Sequence, residues 1–210
     1  MDDAFARVLA RYESRAAEEE RLWRQTAPSE IMARRDEFLL HVGPETGEVL
    51  LSLAAARGAR HIVELGTSYG YSTLFLAEAA RRTGGRVTTL ELAKEKQDHA
   101  RAQLAEAGLA GHVEWLTGDA LDLLDTIGPD VDFVLIDLWK DLYVPCLEKL
   151  YPKLADNAVI AADNMLLPEI ARPEAEAYRA AVRAKPDLQS VLLPIGSGIE
   201  LSCLWRNPPV

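Results

Sequence analysis

Apolar positions follow two rhythms along this chain. Phe5, Val8, Leu9 and Tyr12 recur at helical spacing beside a charged face, which predicts a helix over Asp2 to Trp23. Ala27-Pro28-Ser29-Glu30 interrupts it, and Ser29 is placed to cap a second helix carrying Phe38 and Leu40. After the break His41-Val42-Gly43-Pro44, a helix opens on Pro44 and stops at Gly58. From His61 onward, short apolar runs of strand length alternate with helical stretches. The runs are His61–Leu65, Arg86–Leu92, His112–Leu116, Val131–Asp137 and a fifth ending at Asp163. Helices are predicted between them, over about Gly70–Arg82, Lys94–Ala107, Ala120–Ile127 and Leu142–Leu154. Such an alternation implies a parallel sheet with helices on both faces. After a helix near Pro173–Lys185, the runs Leu188–Leu193 and Gly198–Trp205 meet at a tight turn and are therefore antiparallel, closing the sheet with a hairpin. The expected fold is α/β, one domain over residues 1–210, with a helical cap (1–41) on a core (42–210).

Two of those runs end on acids. If Val131–Asp137 and the run ending at Asp163 are neighbouring parallel strands, about 5 Å apart, their carboxylates stand side by side at the C-terminal edge, where open α/β sheets bind ligands. Asp137, Asp163 and Asn164 then converge on one hard cation, and Lys140 lies within reach of whatever that cation holds. The competing readings are plain ones: a surface ion pair for Lys140, a turn for Asp163-Asn164.

Composition narrows the partners. A net charge of −10 disfavours a nucleic-acid backbone and favours small neutral or cation-assisted substrates. Cys146 and Cys203 have neither metal-ligand spacing nor a disulfide framework, which suits free thiols in a reducing compartment. The charged start, with no apolar run of membrane-spanning length, points to the cytoplasm.

The stretch Val63–Ser72, VELGTSYGYS, puts Gly66 and Gly70 between a strand end and a helix start, where backbone N–H groups face a ligand. It lacks the three-glycine spacing that cradles a pyrophosphate, which argues for a nucleoside ligand without phosphates. Glu91, at the end of the second strand, is placed to accept hydrogen bonds from two ribose hydroxyls. Gly118-Asp119-Ala120, after the third strand, offers an acceptor and backbone groups to an adenine. Glu64 is positioned to orient the loop or to meet an ammonium group. Each of these also reads as a capping or turn residue.

From Val42 to Glu200 the chain resembles the cation-dependent O-methyltransferases that use S-adenosylmethionine, the group containing catechol and caffeoyl-CoA O-methyltransferases. The resemblance rests on Glu64–Ser72, on DLWKDLYVP (Asp137–Pro145), on ADN followed by a proline (Ala162–Pro168) and on GIE (Gly198–Glu200). It implies a Rossmann-like class I methyltransferase fold with a seven-stranded, mostly parallel sheet. It also implies a cofactor site of Val42, Glu64, Gly66, Ser72, Glu91, Asp119, Ala120 and Asp137. Magnesium, or another divalent cation, falls to Asp137, Asp163 and Asn164, and the catalytic base to Lys140. Leu40, Trp139, Lys140, Asn164, Pro168 and Glu200 are left to the acceptor, with Glu200 where catechol enzymes hold the second hydroxyl. The chain departs from the catechol pattern at Phe38, Leu40 and Leu138, where those enzymes carry an aromatic wall, a methionine near the sulfonium and a histidine beside the adenine. A flat catechol-like acceptor fits the resulting apolar site. The segment before Val42 is left as lid or dimer surface.

Methyl transfer asks mainly for a positioned, deprotonated oxygen, and a divalent cation with a nearby lysine suits that demand. A tRNA-modifying methyltransferase shares the expected fold and site, but the acidic charge and the lack of an aromatic-basic stripe oppose it. A nicotinamide dehydrogenase needs phosphate-binding glycines, and in its short-chain form a Tyr-x-x-x-Lys pair, which neither Tyr143 nor Tyr178 supplies.

Overall fold

The strands run through the middle of two apolar layers, and that explains their near-continuous hydrophobicity. In β1 (His61–Leu65), Ile62 faces one layer while Val63 and Leu65 face the other. In β4 (Val131–Ile136), Phe133 and Leu135 share the side of Ile62, and Val134 and Ile136 the opposite one. Both faces are covered, as the alternation requires. The computed structural model describes residues 2–27, 30–31 and 34–206. Ser29, expected to cap a second helix, lies outside them.

The remaining strands are β2 (Arg86–Glu91), β3 (Val113–Thr117), β5 (Leu154–Ala162), β6 (Leu188–Leu193) and β7 (Ile199–Leu204), in the spatial order β3-β2-β1-β4-β5-β7-β6. β1 to β5 pair in parallel, and β7 is antiparallel to both β5 and β6. The chain order reverses between β1 and β4, so the C-terminal ends of β1, β4 and β5 adjoin at a switch point, where such sheets bind ligands.

The first layer is built by α1 (Asp3–Gln25), α2 (Pro44–Arg57), α3 (Tyr71–Thr83) and α4 (Lys94–Glu106). Tyr71 through Ala80 are all buried, because α1 lies across the outer side of α3. Phe5 meets Phe75 edge-on at 5.6 Å, and Tyr12 meets Tyr71 at 5.7 Å. The second layer holds α5 (Ala120–Thr126), α6 (Tyr143–Leu150) and α7 (Arg172–Arg183), packed through Leu124, Leu147, Leu150, Tyr178 and Val182. Among the described residues, no helix is long and apolar enough to cross a membrane.

Two expectations fail locally. Phe38 and Leu40 are not on a helix. They follow a single 3-10 turn, Arg35–Glu37, with Leu40 at a φ of 46°. Tertiary hydrogen bonds shape that segment: Leu39 N–H donates to Glu19 at 2.8 Å, Ser68 Oγ donates to the Leu39 carbonyl at 3.2 Å, and Arg15 donates to the Glu37 carbonyl at 2.9 Å. The helix expected to reach Leu154 ends at Leu150, a 3-10 turn follows, and β5 starts at Leu154.

Candidate active site

The ladder between β1, β4 and β5 continues one residue past the strands. Asp137 N–H donates to the Leu65 carbonyl at 2.9 Å, and Asp163 N–H to the Ile136 carbonyl at 3.1 Å. The two acids therefore leave adjacent strand ends together. Asn164 follows in the left-handed region, at a φ of 57° that asparagine tolerates. Lys140 opens a 3-10 turn (Lys140–Leu142), and its ammonium donates to Asn164 Oδ1 at 2.7 Å, to the Leu138 carbonyl at 3.2 Å and to the Tyr143 hydroxyl. Asp137 Oδ1 stands 4.0 Å from the same nitrogen. The fully buried Tyr143 donates onward to the Asp163 carbonyl at 3.2 Å.

Burial sets the electrostatics here. It pushes the Lys140 ammonium below the usual lysine range, against the opposing pull of Asp137 and Asp163. Asp163 is 2% exposed, and its Oδ1 has no hydrogen-bond partner among the described residues. Its carboxyl is raised to about 7, first by desolvation and then by Asp137. Desolvation also raises Asp137, with Lys140 opposing it.

The glycine loop is tied down from below. Glu64, fully buried on β1, accepts from Ser72 Oγ, Thr73 Oγ1 and Thr89 Oγ1, each at 2.6 Å. It orients the start of α3. Gly66 has a φ of 99°, and a Cβ there would stand 2.0 Å from the Asp137 carbonyl, so only glycine lets β1 turn this close to β4. Glu91 accepts Ser68 N–H at 2.7 Å on one oxygen and Ala93 N–H at 2.9 Å on the other, and each oxygen keeps a lone pair for a hydroxyl donor.

Desolvation lifts the Glu64 carboxyl from an ordinary 4.5 to about 7 despite its three hydroxyl donors. Between those values the folded protein holds a proton that the unfolded chain has released. The stability from this neutral group is complete below the unfolded value and is lost as pH rises through about 7. Its size is on the order of 3 kcal/mol. Wild type is expected to melt about 5–10 °C lower, relative to Glu64→Gln, at pH 8 than at pH 5. Parallel melting curves of the two proteins across that range would remove Glu64 as the cause.

With that geometry in place, the chain's relatives are informative. The O-methyltransferase family model matches residues 14–204. The chain belongs to the O-methyltransferase family. It is 39% identical over 126 residues to a catechol O-methyltransferase of Mycobacterium tuberculosis, covering 60% of this chain and 57% of that protein, so the match spans less than two-thirds of that relative's length. It is 28% identical over 193 residues to caffeoyl-CoA O-methyltransferase 2 of Petunia hybrida, covering 82% and 79% of the two chains. The crystal structure of the O-methyltransferase from Bacillus cereus in complex with SAH superposes with a TM-score of 0.75 at 27% identity, covering 97% of this chain and 91% of the other.

Some of the expected site residues come together and others do not. Asp137, Lys140, Asp163 and Asn164 form one group at the switch point. Glu64 and Ser72 bond to each other beneath the glycine loop, and Glu91 ends β2 beside it. Val42 is buried just ahead of α2. Leu40 and Trp139 are 40% and 46% exposed, and Pro168 precedes the 3-10 turn Glu169–Ala171. Asp119 caps α5, accepting Leu121 N–H at 2.8 Å, with Ala120 as the first helical residue. Glu200 is turned elsewhere. It is fully buried on β7 opposite Ala162, and its oxygens accept from Arg179 Nε at 2.8 Å and Ser190 Oγ at 2.9 Å.

Several residues around the site went unmarked in the sequence. Tyr143 ties Lys140 to the Asp163 backbone, and its place three residues after Lys140, within one helical turn, was the available signal. Thr73 and Thr89 complete the Glu64 cluster. Tyr12 donates to the Tyr69 carbonyl, and the Arg15 guanidinium lies 4.0 Å over the Tyr69 ring, so α1 braces the glycine loop directly.

A divalent cation suits the donor set. Among the described residues, no group of three or more His, Cys, Asp or Glu side chains is placed to hold a metal ion. The set at the switch point is different in kind, two carboxylates and an amide oxygen. All are hard oxygen donors, and one of them, Asp163 Oδ1, is buried without a partner. A buried acceptor in that state costs about 1–3 kcal/mol unless something satisfies it.

Proposed function

We propose that this chain transfers a methyl group from S-adenosylmethionine to one hydroxyl of a small aromatic acceptor bearing two neighbouring hydroxyls, with a divalent cation required. The observation that carries the reading is the single cluster of Asp137, Asp163, Asn164 and Lys140 at the sheet's switch point. The catechol O-methyltransferase named above supports the acceptor class.

Asp137, Asp163 and the Asn164 carbonyl are the residues that would hold the cation, whose contribution when bound is to orient the two hydroxyls and favour the oxyanion form of one. Glu91 binds the donor's ribose through the acceptor capacity left on each oxygen. Gly66 keeps β1 and β4 close enough for the donor to lie across their ends. Lys140, its pKa lowered by burial, takes the proton from the acceptor hydroxyl and is steered by Tyr143 and Asn164. Trp139, Leu40 and Pro168 form apolar walls that exclude water and fit a flat ring. Asp119 and Ala120 adjoin the adenine, and Val42 and Ser72 the methionine end. Glu200 enters this reading only if its link to Arg179 opens, because both of its oxygens are engaged.

Methyl transfer from S-adenosylmethionine to a panel of catechols, monophenols and one caffeoyl thioester, each with magnesium or with chelator, tests the proposal. Catechols methylated only in magnesium are expected. Activity that survives chelation, or a preference for monophenols, would refute it.

A further inference from the structure

We infer that Ser68 is a positioning residue, through which binding of the methyl donor fixes the segment that carries Leu40. The inference rests on the readings of Glu91 as the ribose ligand and Leu40 as an acceptor wall. Ser68 N–H donates to one oxygen of Glu91 at 2.7 Å, and Ser68 Oγ donates to the Leu39 carbonyl at 3.2 Å. One residue thus touches both the carboxylate that ends β2 and the backbone immediately before Leu40.

The local backbone gives a reason for a side chain at this position. Ser68 has a φ of 45°, in the left-handed region, within a loop that already uses Gly66 and Gly70. Glycine takes that conformation without strain, and serine does not. What serine adds over glycine is a hydroxymethyl group, and its oxygen bonds the Leu39 carbonyl.

The other ties on the segment lead elsewhere. Glu19 accepts Leu39 N–H at 2.8 Å and Arg15 donates to the Glu37 carbonyl at 2.9 Å, both from α1, and Lys96 of α4 stands 3.5 Å from Asp36. From the glycine loop, Tyr69 reaches the Asp36 carbonyl at 3.4 Å, three residues before Leu39. Of these contacts, Ser68 alone joins Leu39 to the ribose carboxylate. Leu39 is buried, whereas Leu40 has a φ of 46° and is 40% exposed, so the wall residue leaves the layer that holds its neighbour. Ribose hydroxyls on the lone pairs left at Glu91 hold that carboxylate still, and with it Ser68 and the Leu39 carbonyl.

Amide hydrogen exchange of the full-length protein with and without S-adenosylhomocysteine tests the link, beside methyl-transfer kinetics on catechol with magnesium. In wild type the ligand is expected to slow exchange over residues 38–41 about fivefold, and in Ser68→Ala that slowing is expected to disappear. The variant keeps the N–H that meets Glu91, so its affinity for S-adenosylhomocysteine is expected to stay within about twofold of wild type, while the catechol KM rises about three- to tenfold at similar kcat, as for a contact made equally in ground and transition states. Ser68→Gly lacks the same hydroxyl but is unstrained at this φ, and is expected to match Ser68→Ala. No slowing in wild type, slowing that persists in both variants, a loss of S-adenosylhomocysteine affinity with KM unchanged, or wild-type behaviour of Ser68→Gly overturns the inference. The acceptor reading fails separately: a catechol KM unchanged in Leu40→Ala, with the exchange pattern as expected, would refute Leu40 as a wall and uphold the link through Ser68.

Discussion

Lys140→Ala is expected to lower kcat by about 10²–10⁴-fold, the range for losing a positioned general base, while leaving affinity for S-adenosylhomocysteine unchanged. The base has to be neutral when the acceptor arrives, and a solvated lysine, with a pKa of about 10.4, rarely is near pH 7. Burial moves Lys140 in the required direction, and Asn164 Oδ1 at 2.7 Å, the Leu138 carbonyl and Tyr143 fix where its nitrogen points. Charge alone does not replace it. Lys140→Arg restores a cation beside Asp137, but a guanidinium stays protonated at any working pH, so this variant is expected to be as slow as alanine. Recovery of activity in Lys140→Arg would mean that the lysine serves by charge, and alanine activity within about tenfold of wild type would remove it from the chemistry altogether.

The same group shows what a sequence can convey. Asp137 and Asp163 were legible because each ends a run of β-branched and aliphatic residues, and two such runs have few ways to pair other than side by side. Ladder bonds at 2.9 and 3.1 Å carry that pairing to the acids themselves. β1 and β6 begin and end where periodicity places them. Residues 34–41 were not legible, because Glu19, Arg15 and Ser68 hold that backbone from distant positions and override its helical spacing. Glu200 illustrates the same limit at the site. Its place in the GIE motif points to the acceptor, yet its side chain follows Arg179 and Ser190, which nothing local to the motif announces. The early start of β5 was hidden by Asp156 and Asn157, polar residues that look like a turn. The β4–β5 register shifts there and Asn157 takes a φ of 61°.

Asp163→Ala should separate stability from function more sharply than any other change. In the absence of metal this side chain is a liability: it is buried, Oδ1 has no partner among the described residues, and desolvation with Asp137 nearby raises its carboxyl to about 7. Removing an unsatisfied buried acceptor relieves about 1–3 kcal/mol, offset in part by the small cavity left behind. The metal-free variant is therefore expected to melt no lower than wild type. Magnesium reverses the ranking. At about 100 times its dissociation constant, a ligand bound only by the folded state adds about 2.7 kcal/mol, which for a chain of this size is about 5–10 °C in Tm. Wild type should gain that increment and Asp163→Ala should not, and the variant's methyl transfer should fall by about 10³-fold or more. Calorimetry of both proteins with and without magnesium, beside the activity assay, separates the outcomes. A variant that still gains stability from magnesium would place the cation elsewhere, and one that loses stability in chelator would make Asp163 a structural residue whose unpartnered oxygen has another explanation.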